Sequence, residues 1–194
     1  ENHAENGRST KSFLEEGRLE TIRERMQPGD FLFIQFGHND EKAEDPARYT
    51  SPEDTFRGYL AVFVKAAREK GAYPVLITPL TRRCYRDPQA KYSHGPYAAA
   101  MRELARELCV PLIDLTAESE KLVDRMGEDA KQLYMNLPAG RFSHYPNGLE
   151  DNTHLQPAGA LAFAGLVAEG LQALGGVYAA LLSDEACQWM RERA

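Results

Sequence analysis

The chain has 194 residues, of which 43% are apolar, 27% charged and 9% aromatic, an ordinary globular composition with enough length for one domain and a sizeable core. Its net charge of −6 argues against electrostatic binding to nucleic acid, which needs clustered cations facing phosphate. No stretch reaches the roughly 20 apolar residues of a membrane span, so neither nucleic acid nor membrane is an expected partner. The cysteines Cys84, Cys109 and Cys187 are odd in number and widely spaced, which reads as reduced thiols and a cytoplasmic location. No leader is visible, but the sequence begins at Glu1 without a Met, so secretion stays open.

In chain order, Ser12-x-x-Glu15 has the form of a capping box ahead of Leu19, Ile22 and Met26, predicting a first helix. Charges between Arg18 and Arg25 alternate in sign, as on a solvated helix face. The apolar run "FLFIQF" (31–36) follows the turn Gln27-Pro28-Gly29-Asp30. Ser51-Pro52-Glu53-Asp54 then supplies an N-cap, a first-turn proline and acidic residues. Phe56, Leu60, Phe63 and Ala67 form the apolar face of that helix, and Gly71 lies past its end. "YPVLIT" (73–78) is a second apolar run; Tyr97, Met101, Leu104, Ala105 and Leu108 mark another helix, and "PLIDL" (111–115) is a third run. Each run is continuous rather than alternating, the pattern of parallel strands buried on both faces. Pro157 opens a helix apolar almost all round to Leu174, predicted to be largely buried.

Alternating strand and helix predicts an α/β fold, three layers α/β/α around a parallel sheet, in a single domain spanning 1–194. Sheets of this kind usually have about four to six strands. With three here, one or more N-terminal strands are expected upstream of Glu1, beside residues 31–36.

Ligands of open parallel sheets gather beyond the carboxyl ends of the strands. Gly37-His38-Asn39-Asp40 stands at that rim, either as a plain turn or with Asn39 donating to a developing oxyanion. Gly7, in "NGRSTKSF", precedes a helix start, either to permit a tight turn or to present its N–H to an anion. Asp151-x-x-His154 reads either as a polar loop or as a general base with a carboxylate fixing its tautomer. Of the other histidines, His3, His94 and His144 lie in polar sequence, solvated or touching substrate. One of Arg82 and Arg83 is a candidate for an anionic substrate, with a surface ion pair as the plainer reading. His38, Asp40, Asp151 and His154 are metal-compatible side chains, but no compact ligand motif is present, so neither metal nor organic cofactor is expected.

Taken in order, these residues resemble the SGNH (GDSL-type) hydrolase superfamily, and within it the rhamnogalacturonan acetylesterases. "NGRSTKSFLEEGR" resembles the second sequence block, "FGHND" the third and "DNTHLQPAGA" the last; "TPLTRR", "PLIDLT" and "YPNGLEDNTH" also fit. The resemblance implies a flavodoxin-like sheet, Gly7 and Asn39 as oxyanion-hole donors, and Asp151 and His154 as triad members. The first block, Gly-Asp-Ser with the nucleophilic serine, does not occur in these 194 residues. The implied parent protein is a serine esterase that removes acetyl groups from pectic polysaccharide or oligosaccharide, and the 194 residues alone are expected to be inactive. His38, Arg82, Tyr85, His94 and Tyr145 suggest a polar rim that would contact sugar. Two other readings stand beside it. One is a lysophospholipase-like or thioesterase member acting on another acyl ester. The other is a catalytically dead carbohydrate-binding protein. Oligomeric state is not legible.

Overall fold

The structure, a computed structural model, describes residues 1–83 and 94–191. The described chain divides into two compact units, one holding Glu1–Pro79 and His94–Asp114, the other residues 80–83 and 115–191.

The first unit contains the parallel sheet. Strands β1 (Phe31–Gln35), β2 (Tyr73–Ile77) and β3 (Leu112–Ile113) lie in that order, with Ile34 opposite Leu76 and Leu76 opposite Leu112. All three are the apolar runs read from the sequence. β2 is buried from Pro74 to Ile77, as a central strand should be. β1 departs from expectation: only Ile34 is buried, while Phe33 is 44% exposed. β1 has β2 on one side and, among the described residues, no strand on the other. Along it lies a groove of about 670 Å³ lined by β1, by the turn after it and by His3, Arg8 and Ile22. Phe33, Phe31 and Tyr73 stack as an aromatic row on that sheet, with centroids 6.5 and 5.0 Å apart.

Helices α1 (Thr10–Glu15) and α2 (Arg18–Arg25) open the unit. The capping box sits one turn earlier than expected. Ser9 is the N-cap, its side chain accepting from the Ser12 N–H while the Ser12 hydroxyl accepts from the Ser9 N–H. Pro52–Phe56 forms a π-helical turn that runs into α3 (Arg57–Glu69), and α4 (Gly95–Glu107) follows β2 in the described chain. Their apolar faces close over one side of the sheet: Phe56, Leu60, Phe63 and Val64 pack with Phe13, Leu19, Ile34, Leu76, Met101 and Leu104. Phe56 and Leu60 are fully buried, each worth about 1.5–3 kcal/mol relative to exposure.

The second unit begins with residues 80–83 and continues through α5 (Leu115–Met126), a 3-10 helix at Gly127–Leu133, an antiparallel pair β4 (Tyr134–Leu137) and β5 (Leu149–Leu155), then α6 (Pro157–Leu174), α7 (Gly176–Ala179) and α8 (Asp184–Arg191). Its core is Val123, Ala130, Leu133, Tyr134 and Phe163. Two expectations need correction here. The β4–β5 pair was not foreseen. α6 is not largely buried: its buried residues are Gly159, Phe163, Gly165 and Leu171, and Leu161 is 60% exposed. The helix is apolar through alanine and glycine, which lack the bulk to need a surrounding core. By length and composition alone α6 is long and apolar enough to cross a membrane, where the sequence was expected to hold no such span; here Phe163 seats it on Tyr134 with rings 5.9 Å apart.

Candidate active site

The carboxyl end of β1 runs into the turn Gly37–Asp40. Gly37 has φ +134°, and a Cβ there would meet Pro79 Cγ at 2.9 Å, so a side chain is excluded twice over. Asp40 is fully buried and binds three segments at once. Its Oδ2 accepts the Gly37 N–H at 3.1 Å; its Oδ1 accepts the Thr10 N–H at 2.9 Å, the Thr10 hydroxyl, and the Thr50 hydroxyl at 3.1 Å. Burial pushes the Asp40 carboxyl above its ordinary pKa, against the opposing effect of the donors from Thr10, Thr50 and Gly37. The Tyr97 hydroxyl donates to the carbonyls of Asp40 and Thr50 beside it.

This bracing fixes Asn39. The Asn39 Nδ2 donates to the Arg8 carbonyl at 3.2 Å, and Arg48 Nη1 donates to the Asn39 Oδ1 at 3.2 Å. Arg48 is itself held by Asp45 at 2.6 Å. The amide is thus oriented with its oxygen on a cation and its nitrogen toward the turn that follows Gly7. Gly7 has φ +77°, the left-handed region that favours glycine, although nothing crowds its Cβ position. An amide N–H with a second hydrogen to give, and a glycine backbone N–H ahead of a helix, are the donor chemistry that stabilises an oxyanion. Ser9 and Ser12, the serines nearest Gly7, are committed to each other's backbone in the capping box.

In the second unit, Asp151 and His154 lie on β5 rather than in a loop. Residues three apart on a regular strand face opposite ways. Here the Asp151 Oδ1 accepts the N–H groups of Thr153 at 2.7 Å and His154 at 2.9 Å, an Asx-type pairing that brings the two side chains together. The Asp151 Oδ2 then meets His154 Nδ1 at 2.7 Å. A carboxylate accepts only, so Nδ1 carries the proton and Nε2 of the neutral ring is left as the acceptor, the tautomer a general base requires. The His154 side chain is 61% exposed and that of Asp151 23%. Partial burial works to raise the Asp151 pKa, but the hydrogen bonds from the His154 ring and from the His154 and Thr153 N–H groups outweigh it and hold the carboxyl below its usual value.

The remaining candidates fall out differently. His38 is partly exposed, with its ring 4.2 Å from that of His94. His94 is not in a solvated loop: it is 2% exposed, sits at the N-cap of α4 and bonds Glu41 through Nδ1 at 2.8 Å. Arg82 Nη1 donates to the Thr153 hydroxyl at 3.0 Å, between Asp151 and His154 in sequence. Tyr145 is 37% exposed in the β4–β5 connection. Tyr85 lies outside the described residues. Among the described residues no group of three or more His, Cys, Asp or Glu is arranged to hold a metal. Sequence reasoning missed Arg48 and the bracing by Asp40. Asp40 was visible as the acid directly after Asn39, whereas Arg48 left no signal.

The GDSL-like lipase/acylhydrolase family matches residues 1–162. Rhamnogalacturonan acetylesterase RhgT of Bacillus subtilis is 47% identical over 177 residues, covering 90% of this chain and 74% of its own length. The probable rhamnogalacturonan acetylesterase YesY of the same organism is 40% identical over 174 residues, covering 90% and 76%. Among solved structures, protein YxiM of Bacillus subtilis superposes with a TM-score of 0.69 at 26% identity, over 90% of this chain and 45% of that one. The chain thus belongs to the GDSL-like lipase/acylhydrolase family, an α/β/α fold class.

Proposed function

We propose that this protein is a carbohydrate esterase that removes acetyl groups from rhamnogalacturonan-type pectic polysaccharide or oligosaccharide. The observation that carries the chemistry is the 2.7 Å hydrogen bond that His154 Nδ1 donates to Asp151 Oδ2, which leaves Nε2 free to take a proton. The substrate class rests on the 47% identity to an enzyme of that name over 90% of the chain.

In this reading a serine hydroxyl attacks the acetyl carbonyl and passes its proton to His154 Nε2, while Asp151 holds the ring and the imidazolium that forms. The carbonyl oxygen becomes an oxyanion stabilised by the Asn39 amide and the Gly7 N–H. His154 returns the proton to the departing sugar hydroxyl, leaving an acetyl-serine. Water, deprotonated by His154, then releases acetate and restores the serine. No Gly-Asp-Ser occurs in the 194 residues, so the serine is assigned to a block outside them. The open side of β1 supports a further strand there.

The test is acetate release by the complete protein from acetylated rhamnogalacturonan oligosaccharides, acetylated xylooligosaccharides and long-chain p-nitrophenyl esters. The pectic substrate should give the highest kcat/KM; a tenfold preference for the long-chain ester would replace this reading with a lipase. A serine-reactive phosphonate should label one serine outside residues 1–194. Stoichiometric labelling at Ser9 or Ser12 would place the nucleophile within this chain instead.

A further inference from the structure

Residues 80–83 are fastened along β5 in the same compact unit as the Asp151–His154 pair. The Tyr134 hydroxyl donates to the Thr81 carbonyl at 2.7 Å, and the Thr81 N–H donates to the Ser119 hydroxyl at 2.9 Å. The Arg83 N–H donates to the Asn152 carbonyl at 2.8 Å, so Arg83 runs beside the residues that separate Asp151 from His154. Its side chain is 12% exposed, yet it is incompletely paired. Nη2 donates to Glu150 Oε1 at 3.0 Å, while the buried Nε has no hydrogen-bond partner. Nε–H and one Nη2–H lie on the same edge of a guanidinium, the edge that grips both oxygens of a carboxylate. Glu150 uses half of that edge, and its side chain is 81% exposed.

Two features of this pair call for a ligand. A buried N–H on a charged group left without an acceptor is costly, and the few such groups in folded proteins need a reason. A glutamate so exposed is held weakly by one hydrogen bond in water. We propose that Arg83 is the recognition residue for the carboxylate of an acidic sugar, a hexuronate, in the substrate, and that Glu150 occupies its place in the free protein. The incoming carboxylate displaces Glu150 and bridges Nε and Nη2, satisfying both donors with no change in the net charge at the guanidinium. A neutral sugar offers only hydroxyl oxygens and cannot displace a carboxylate there. The proposal rests on the acetylesterase reading, since Arg83 runs beside the segment that carries Asp151 and His154.

The experiment compares the complete wild-type protein with Arg83→Gln on acetylated oligogalacturonate and on acetylated xylooligosaccharide. For Arg83→Gln the acidic-to-neutral ratio of kcat/KM should fall at least tenfold, through KM for the acidic substrate rather than kcat. Glu150→Gln should lower that KM severalfold at low ionic strength, because the competitor has lost its charge. Equal losses on both substrates, or a ratio within twofold of wild type, would overturn the proposal and leave Arg83 as an ordinary ion pair. If Arg83→Gln fails to fold, Arg83→Lys keeps the charge without the two-donor edge and reads the same ratio. Calorimetric titration with unacetylated trigalacturonate separates the two readings. Tight binding that weakens tenfold in the variant upholds the Arg83 subsite even if the acidic acetyl ester is not hydrolysed, in which case only the proposed reaction fails. No heat with wild type, alongside normal hydrolysis of the acidic ester, sinks the subsite and spares the reaction.

Discussion

The turn that carries Asn39 and the strand that carries His154 are held by opposite means. Asn39 is positioned by partners far along the chain: Asp40 reaches Thr10 and Thr50, and Asn39 itself reaches Arg8 and Arg48. At its centre is a carboxylate with no exposure to water. His154 is positioned by its own neighbourhood, through one carboxylate three residues away that also accepts two backbone N–H groups, and its ring is mostly in solvent. Long-range bracing in a buried setting suits a group that must not move as charge develops. Local bracing in the open suits a base that must exchange its proton with hydroxyl and water in turn.

The sharpest way to separate the two is to remove the side chain that each scaffold presents. In the complete protein, Asn39→Ala should lower kcat by about 100- to 1,000-fold while leaving KM and the unfolding midpoint near wild type. A loss confined to KM would make Asn39 a ground-state contact instead. Removing the brace tests stability rather than chemistry: Asp40→Ala strands the buried Thr10 and Gly37 N–H groups and should cost about 2–4 kcal/mol in urea unfolding. The unfolding midpoint of that variant matching wild type would show that the bracing is not needed.

A smaller effect comes from Arg48, which touches Asn39 only through its amide oxygen. Arg48→Met should reduce kcat about tenfold with KM little changed, an estimate from the loss of one charge-assisted hydrogen bond. Arg48→Lys should recover part of that loss. An equal rise in KM would assign Arg48 to substrate binding.

The smallest effect is in pH dependence, and its sign distinguishes the two carboxylates. Asp40 has a raised pKa in the folded state, so its ionisation favours unfolding. The stability advantage of wild type over Asp40→Asn should be largest below about pH 4 and shrink as pH rises through the raised value. Asp151 is lowered, so its contribution is present above about pH 4 and lost as pH falls through the folded value. Wild type and Asp151→Asn should therefore converge in acid. Urea melts between pH 3 and 7 read both slopes, and slopes of the same sign would contradict the opposed environments.

The parallel sheet was legible because each strand is a short continuous apolar run ended by turn residues, and α3 because Ser51-Pro52 opens the π-helical turn that leads into it and Gly71 lies past its end. β5 was not, because "LEDNTHL" places Asp151 and Thr153 where a half-buried strand would carry valine or leucine. Those polar residues build the Asp151–His154 hydrogen bonds, so the local pattern fails at the proposed catalytic pair. The D-x-x-H spacing still named the pair, since its contacts span three residues. The bracing of Asn39 was out of reach for the converse reason: Asp40 and Thr10 are 30 residues apart, and no periodicity links them. His94 looked solvated because its surroundings in sequence are polar, yet its charged partner Glu41 comes from the turn after β1.

The proposed reaction depends most on His154 as the base. Steady-state acetate release from acetylated rhamnogalacturonan oligosaccharides should be measured for the complete protein and for His154→Ala, with folding checked by circular dichroism. The exposed ring can be removed without opening a cavity, so the fold should persist while kcat falls by about 10,000-fold or more. A folded His154→Ala protein that keeps kcat within tenfold of wild type would contradict the account.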